Sequence, residues 1–133
     1  MTQKPHLILI IEDELPLLQA IQKKLEISGF ETRAAQDGNQ ALELIKSLPE
    51  NPALIWLDYY LPTMSGLEFL SKIKQDPKYA NTPVFVISNT AGPEKVSAMM
   101  ALGAKKYFLK AEKRLDEIID EIKKFLSEGG THE

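Results

Sequence analysis

Five residues in this sequence could do chemistry together: the carboxylates of Glu12, Asp13 and Asp58, the hydroxyl of Ser88 and the ammonium of Lys110. Each stands where a short run of mostly apolar residues gives out. Glu12-Asp13 follow Leu7-Ile8-Leu9-Ile10-Ile11, and Asp58 ends Ala53-Leu54-Ile55-Trp56-Leu57. Ser88 follows Pro83-Val84-Phe85-Val86-Ile87, and Lys110 follows Lys105-Lys106-Tyr107-Phe108-Leu109. If one crevice gathers the three carboxylates, two unit charges about 4 Å apart repel by about 4 kcal/mol at an effective dielectric near 20. Such a cluster is tolerable only around a cation. With hard oxygen ligands and no His or Cys in the pattern, the natural occupant is Mg²⁺.

Taken singly, each residue has a plainer reading. Asp58 could be a turn former closing a strand. Glu12 and Asp13 could favour the N-terminus of a following helix, where the dipole attracts anions. Ser88 could be a turn hydroxyl, Lys110 a charge guarding an edge strand, and Tyr107 a half-buried edge aromatic. The specificity lies in the joint pattern, because all of them fall together at strand ends.

The elements that position them read as five strand–helix units in strict alternation. Unbroken apolar runs at 7–11, 53–57 and 83–87 suit strands buried on both faces. The stretches 30–35 and 105–109 carry Glu31, Arg33, Lys105 and Lys106 and read as edge strands. Between them, Leu17, Leu18, Ile21 and Leu25 recur at helical spacing up to Gly29, and Ala41, Leu42, Ile45 and Leu48 do so up to Pro49. Leu67, Leu70 and Ile73 mark a third helix that stops at Asp76-Pro77. Gly92-Pro93 opens a fourth with Val96, Met99, Met100 and Leu102; core packing is the expected role of the two methionines, with one of them on an interaction face as the alternative. Leu115, Ile118, Ile119, Ile122 and Phe125 line a fifth. Alternation of this kind means a doubly wound parallel α/β sheet with helices on both faces. Two edge-like strands, the second and fifth, give the order 2-1-3-4-5. The first and third strands are then neighbours across the topological switch point, where open α/β sheets bind ligands, and the carboxylates converge there.

Composition narrows the function. The 133 residues suit one domain, and a net charge of -3 from 16 basic and 19 acidic residues argues against direct nucleic-acid binding. With no cysteine there are neither disulfides nor thiolate metal sites. No signal peptide precedes the first apolar run, and no apolar stretch approaches the roughly 20 residues of a membrane span. A cytoplasmic protein with no membrane association is expected. The expected organisation is an N-terminal tail over 1–5, one domain over 6–128 and a frayed, Gly-rich tail over 129–133.

Over residues 6 to about 128 the chain resembles the receiver domain of two-component response regulators, which has the flavodoxin-like strand order. The resemblance rests on Glu12-Asp13, on Asp58-Tyr59-Tyr60-Leu61-Pro62 through Gly66, on Ser88, on Tyr107 three residues before Lys110, and on Ala101-Leu102-Gly103-Ala104. It implies that Asp58 is the nucleophile, taking a phosphoryl group from the phosphohistidine of a histidine kinase or histidine phosphotransfer protein and becoming an acyl phosphate. It implies Mg²⁺ held by Asp13, Asp58 and the backbone carbonyl of Tyr60, with Glu12 acting through water. Lys110 and the metal neutralise the phosphoryl oxygens and Ser88 donates to them. Tyr107 turns inward as Ser88 moves, and the change is read on the fourth helix, fifth strand and fifth helix. The partner downstream is a protein effector or a fused output domain, and a phosphorylation-dependent homodimer is left open. Such a chain is a phosphoacceptor switch, catalysing only its own phosphorylation and dephosphorylation. No output segment follows residue 128, so the resemblance reads as a stand-alone receiver or one cut from a longer regulator.

Three positions depart from the family pattern. Ala111 stands where proline usually follows the lysine in a cis peptide. A cis bond before a non-proline costs about 3–4 kcal/mol, so the Lys110–Ala111 bond is expected either trans or, the form leaned towards here, strained cis. Asn89 replaces a small residue and is expected to narrow access. Tyr60 is bulky where water reaches the acyl phosphate, which predicts slow self-dephosphorylation. The competing readings fit less well. A receiver-like interaction module that works without phosphate has no need of Asp13, Asp58, Ser88 and Lys110 together. A haloacid-dehalogenase-type enzyme resembles its relatives in a second Asp two residues after the nucleophile, where this chain has Tyr60. A flavodoxin-like FMN carrier needs Ser, Thr and Gly in the first loop, and Glu12-Asp13-Glu14 would repel a phosphate.

Overall fold

The computed structural model describes residues 4–90 and 92–129. The tails expected at 1–5 and 129–133 therefore lie largely outside the described residues. The elements follow the alternation read from the sequence: β1 (Leu7–Ile11), α1 (Leu15–Ile27), β2 (Glu31–Ala35), α2 (Gly38–Ser47), β3 (Leu54–Asp58), α3 (Gly66–Gln75), β4 (Val84–Ser88), α4 (Pro93–Ala101), β5 (Lys106–Leu109) and α5 (Leu115–Ser127). The five strands form one parallel sheet in the order β2-β1-β3-β4-β5. The fold class and strand order are as the sequence predicts. No helix among the described residues is long and apolar enough to cross a membrane.

Alternation along each central strand splits its side chains between two apolar layers, because successive residues point to opposite faces. Ile8, Ile10, Leu54, Trp56, Phe85 and Ile87 pack with Leu18, Ile21 and Leu25 of α1 and with Ile118, Ile119 and Ile122 of α5. Leu9, Ile11, Ile55, Leu57, Val84 and Val86 pack on the other side with Ala41 and Ile45 of α2, Phe69, Leu70 and Ile73 of α3, and Met99 of α4. Both layers are needed for a strand such as β3 to be buried along its whole length, as it is. Phe69 belongs to this core although the helical spacing pointed to Leu67, which is only partly buried. The two methionines of α4 divide: Met99 is fully buried, whereas Met100 is 42% exposed, so the core role expected of both holds for one. They are successive residues on a helix, about 100° apart around its axis, so one face cannot take both.

Chain turns set the helix ends. Gly29 adopts φ +98, a left-handed conformation that ends α1 and turns the chain into β2. Asp37 caps α2, its side chain accepting from the Gln40 N–H, and Ser65 caps α3 in a reciprocal box with Glu68. The α3 cap begins hard against the end of β3. The Gly66 N–H donates to the Tyr59 carbonyl at 2.9 Å, and a Cβ at Gly66 would stand 2.6 Å from the Asp58 carbonyl oxygen. Only glycine allows that approach.

Candidate functional site

Three strands end in the same local arrangement. The Glu12 carboxylate (Oε2) accepts from the Glu14 N–H at 3.1 Å, the Asp58 carboxylate (Oδ1) from the Tyr60 N–H at 3.1 Å, and the Ser88 hydroxyl from the Thr90 N–H at 3.2 Å. In each case a side chain holds the backbone two residues on; for Asp58 and Ser88 this is the geometry of an Asx or Ser turn, and the longer Glu12 side chain makes the same link. The turn-former reading of Asp58 is thus true, and it leaves the second carboxylate oxygen unused by the turn.

That second oxygen faces Lys110. The Lys110 Nζ lies 3.4 Å from Asp58 Oδ2 and 3.2 Å from Glu12 Oε1. Glu12 is 1% exposed and Asp58 5% exposed, while Asp13 beside them faces solvent. The three carboxylates each offer an oxygen within 4.8 Å of the others. Ser88 is fully buried on the neighbouring strand, whose Ile87 is the register partner of Asp58. Lys110 is held in place by its own backbone, its N–H donating to the Ser88 carbonyl at 2.8 Å.

The electrostatics follow from burial. Loss of water and then the charge of Asp58 push the Glu12 carboxyl up to about 7, against the pull of the Glu14 N–H and Lys110. Burial also raises the Asp58 carboxyl, although Lys110 and the Tyr60 N–H oppose it. Burial works against the Lys110 ammonium too, but the Asp58 and Glu12 carboxylates outweigh it and hold its affinity for the proton above the ordinary lysine value. One ammonium does not balance three carboxylates. An all-oxygen cluster with excess negative charge and an open side at Asp13 suits a hard divalent cation that keeps several of its waters, which is the chemistry of Mg²⁺.

The remaining expected residues stand around this centre. Tyr60 is 44% exposed, beside Tyr59 in an edge-to-face pair with ring centroids 4.9 Å apart. Tyr107 is half-buried and its hydroxyl donates to the Thr90 carbonyl at 3.0 Å. Asn89 is exposed. The strained cis form leaned towards for Lys110–Ala111 is not present: no peptide bond is cis among the described residues, so this one is trans. The physical reason lies in the turn after β5, where the Glu112 and Lys113 N–H groups close on the Leu109 carbonyl at 3.1 and 3.0 Å. The β4 ladder and this turn aim Lys110 without a cis bond.

Two residues here escape a reading by sequence. Thr90 binds Tyr60 and Tyr107, and Lys95 on α4 donates to the Tyr60 hydroxyl. That contact, with Thr90 second, holds the Tyr60 phenol below its ordinary range. Thr90 lies at the same two-residue offset from Ser88 as Tyr60 from Asp58, a signal that was legible. Nothing in the sequence sets Lys95 beside Tyr60.

Comparison with known proteins agrees with this geometry. The family model described as "Response regulator receiver domain" matches residues 8–123. The two-component response regulator ORR11 of Oryza sativa subsp. indica is 34% identical over 106 residues, which cover 80% of this chain and 71% of that protein. Among solved structures, the CheY-like response regulator receiver domain protein of Methanospirillum hungatei JF-1 superposes with a TM-score of 0.84 at 26% identity, covering 94% of this chain and 96% of that one. The phosphorylated cyanobacterial phytochrome response regulator RcpA does so with a TM-score of 0.81 at 26% identity, covering 92% and 94%. A match over most of the chain, a buried acidic centre at the ends of β1 and β3, and a lysine from β5 reaching into it place this chain in the response regulator receiver domain family of two-component systems.

Proposed function

We propose that Asp58 is the phosphoacceptor of this receiver, that the reaction depends on Mg²⁺, and that the functional unit spans residues 6–128. The observation that carries this is the placement of Lys110 on Asp58 Oδ2 while Asp58 Oδ1 is held by the turn. The nucleophile is thereby oriented, and a cation waits where charge will build up on the phosphoryl oxygens. The donor is a phosphohistidine of a histidine kinase or phosphotransfer protein. An Asp58 carboxylate oxygen bonds to phosphorus as the P–N bond breaks, and the bonding pair returns to the imidazole ring. Lys110 pairs with the transferred group, and Ser88 donates a hydrogen bond from its hydroxyl to a phosphoryl oxygen. Asp13, Asp58 and the Tyr60 carbonyl would hold Mg²⁺, with Glu12 acting through water; when bound, the ion neutralises negative charge shared by the carboxylates and the phosphoryl group. That RcpA is described as phosphorylated supports carrying this chemistry over.

With Ser88 drawn to the phosphoryl group, Tyr107 turns inward and the surface of α4, β5 and α5 changes, which is what an effector, an output domain or a second copy would read. The chain turns over no external substrate, since only Asp58 is phosphorylated and then hydrolysed. Incubation with acetyl phosphate and Mg²⁺ tests the assignment. The parent chain should gain one acid-stable, base-labile phosphoryl group, and Asp58→Asn should gain none. Equal labelling of Asp58→Asn would sink the assignment. A parent chain that neither labels nor binds Mg²⁺ would instead favour an interaction module working without phosphate.

A further inference from the structure

We infer that the crevice between α1 and α5 binds a small apolar carboxylate that carries a second oxygen acceptor at its far end. A cavity of about 320 Å³ lies there, at the lower end of the roughly 300–1,000 Å³ of small-molecule sites. Leu17 and Ile21 of α1, Ile87 of β4 and Ile118 of α5 give it apolar walls. Trp56 of β3 also lines it and is 1% exposed. The Trp56 indole N–H is the one buried side-chain polar atom without a hydrogen-bond partner among the described residues. An indole nitrogen can only donate, and a buried tryptophan ordinarily finds an acceptor. Neither the sheet nor the helices supply one here, and the cavity is the open space beside the ring. An acceptor brought into it meets a donor that the fold leaves unmet.

The charge around the cavity is of one sign. Lys110, Lys113 and Arg114 line it, and no acidic residue does. Lys110 is committed to Asp58 and Glu12. Lys113 reaches Glu121 only at 3.9 Å, and Glu121 is already held by Lys106 at 2.8 Å. Arg114 stands 4.0 Å from Glu117 with 85% of its side chain in water. Exposed pairs of this kind contribute little, so Lys113 and Arg114 keep most of their charge for a further anion. The order of groups defines the occupant: an anion at Lys113 and Arg114, a hydrocarbon body between the apolar walls, and an acceptor at Trp56. A free phosphate has no use for those walls, and a cation is repelled. The site is independent of whether Asp58 is the phosphoacceptor.

The test uses the full chain with no phosphoryl donor, and 4-acetylphenylacetate as the probe. The sequence holds one tryptophan, so its indole N–H gives a single NMR cross-peak. The probe should saturate at one per chain and move that peak downfield, as a newly made hydrogen bond does. Its affinity, measured by calorimetry, should fall about tenfold in Lys113→Gln/Arg114→Gln, whose altered side chains both reach solvent. The uncharged 4-acetylphenylacetamide should bind the parent chain about tenfold more weakly as well. Exchanging the acetyl group for ethyl should cost about threefold or more and abolish the downfield shift. An indole peak that stays put, or no saturation by about 10 mM probe, would overturn the site. Equal affinity in the parent and the double variant would also overturn it, because the probe would then be partitioning into an apolar crevice without using its charge. So would a downfield shift of the same size with the ethyl compound.

Discussion

The Nζ of Lys110 stands 3.4 Å from Asp58 Oδ2 and 3.2 Å from Glu12 Oε1, so a single ammonium serves two buried carboxylates contributed by different strand ends. Replacing it with an apolar chain of similar length, Lys110→Met, leaves both without a cation. Loss of one partner from a buried pair costs about 3–5 kcal/mol; the Lys110 side chain keeps 21% of its surface in water, so about 2 kcal/mol is expected at pH 8 in the absence of metal. At pH 4.5 Glu12, pushed up to about 7, carries its proton, and the loss should shrink. Urea unfolding of both chains at the two pH values checks this, and an equal loss at both would count against it.

Removing the charge at Asp58 acts in the opposite sense. Asp58→Asn keeps an oxygen for the Tyr60 N–H and relieves the repulsion that raises Glu12. The metal-free variant should be more stable than the parent by about 1 kcal/mol at pH 8, while losing all labelling by acetyl phosphate. A lower melting temperature than the parent's would contradict this account of the site as a stored electrostatic cost.

The pH dependence of the metal-free chain has a definite sign. Glu12 titrates at about 7 in the folded chain against an ordinary 4.5, so the folded state binds more protons between those values than the unfolded state does. The contribution of this group to stability is therefore fully present below about 4.5 and is lost as pH rises through 7, by on the order of 3 kcal/mol. The raised Asp58 carboxyl adds to the same trend. Mg²⁺ should raise the melting temperature at pH 8 far more than at pH 5, since its ligands must be ionised. Denaturant titrations in chelator across this range should show a falling line for the parent and a flatter one for Glu12→Gln. A line that rises with pH, with the same slope in both chains, would refute the sign.

Gly66→Ala should destabilise the chain by about 2–3 kcal/mol, because the new Cβ meets backbone oxygens that cannot swing aside. The Asp58 carbonyl would be 2.6 Å away and the Tyr59 carbonyl 2.9 Å. Since those atoms continue directly into the Asp58 turn, the initial rate of labelling should fall as well. A variant as stable as the parent would show that the α3 start relaxes freely.

Tyr60 shields the acyl phosphate with its ring in this reading, apart from what its hydroxyl does. Tyr60→Asn removes the ring and should hasten loss of the phosphoryl group several-fold, measured by decay of label after removal of acetyl phosphate. If the parent loses its phosphoryl group within seconds, no more slowly than Tyr60→Asn, the shielding idea fails.

Much of this molecule was determined by local pattern alone. The unbroken apolar runs in β1, β3 and β4, and the charged interruptions in β2 and β5, reflect how many faces each strand buries, so strand order was legible without coordinates. The strand-end positions of Glu12, Asp13, Asp58, Ser88 and Lys110 were legible for the same reason: an acidic or basic residue closes a run where the chain leaves the core. What only the tertiary structure decided depends on groups distant in sequence meeting one another. Met99 and Met100 differ because α4 presents one face to the sheet. The Lys110–Ala111 bond is trans because the Ser88 carbonyl and the turn on Leu109 already hold the chain there. Lys95 meets the Tyr60 hydroxyl only because α4 packs beside the loop after β3, a coincidence in space to which periodicity and spacing are blind.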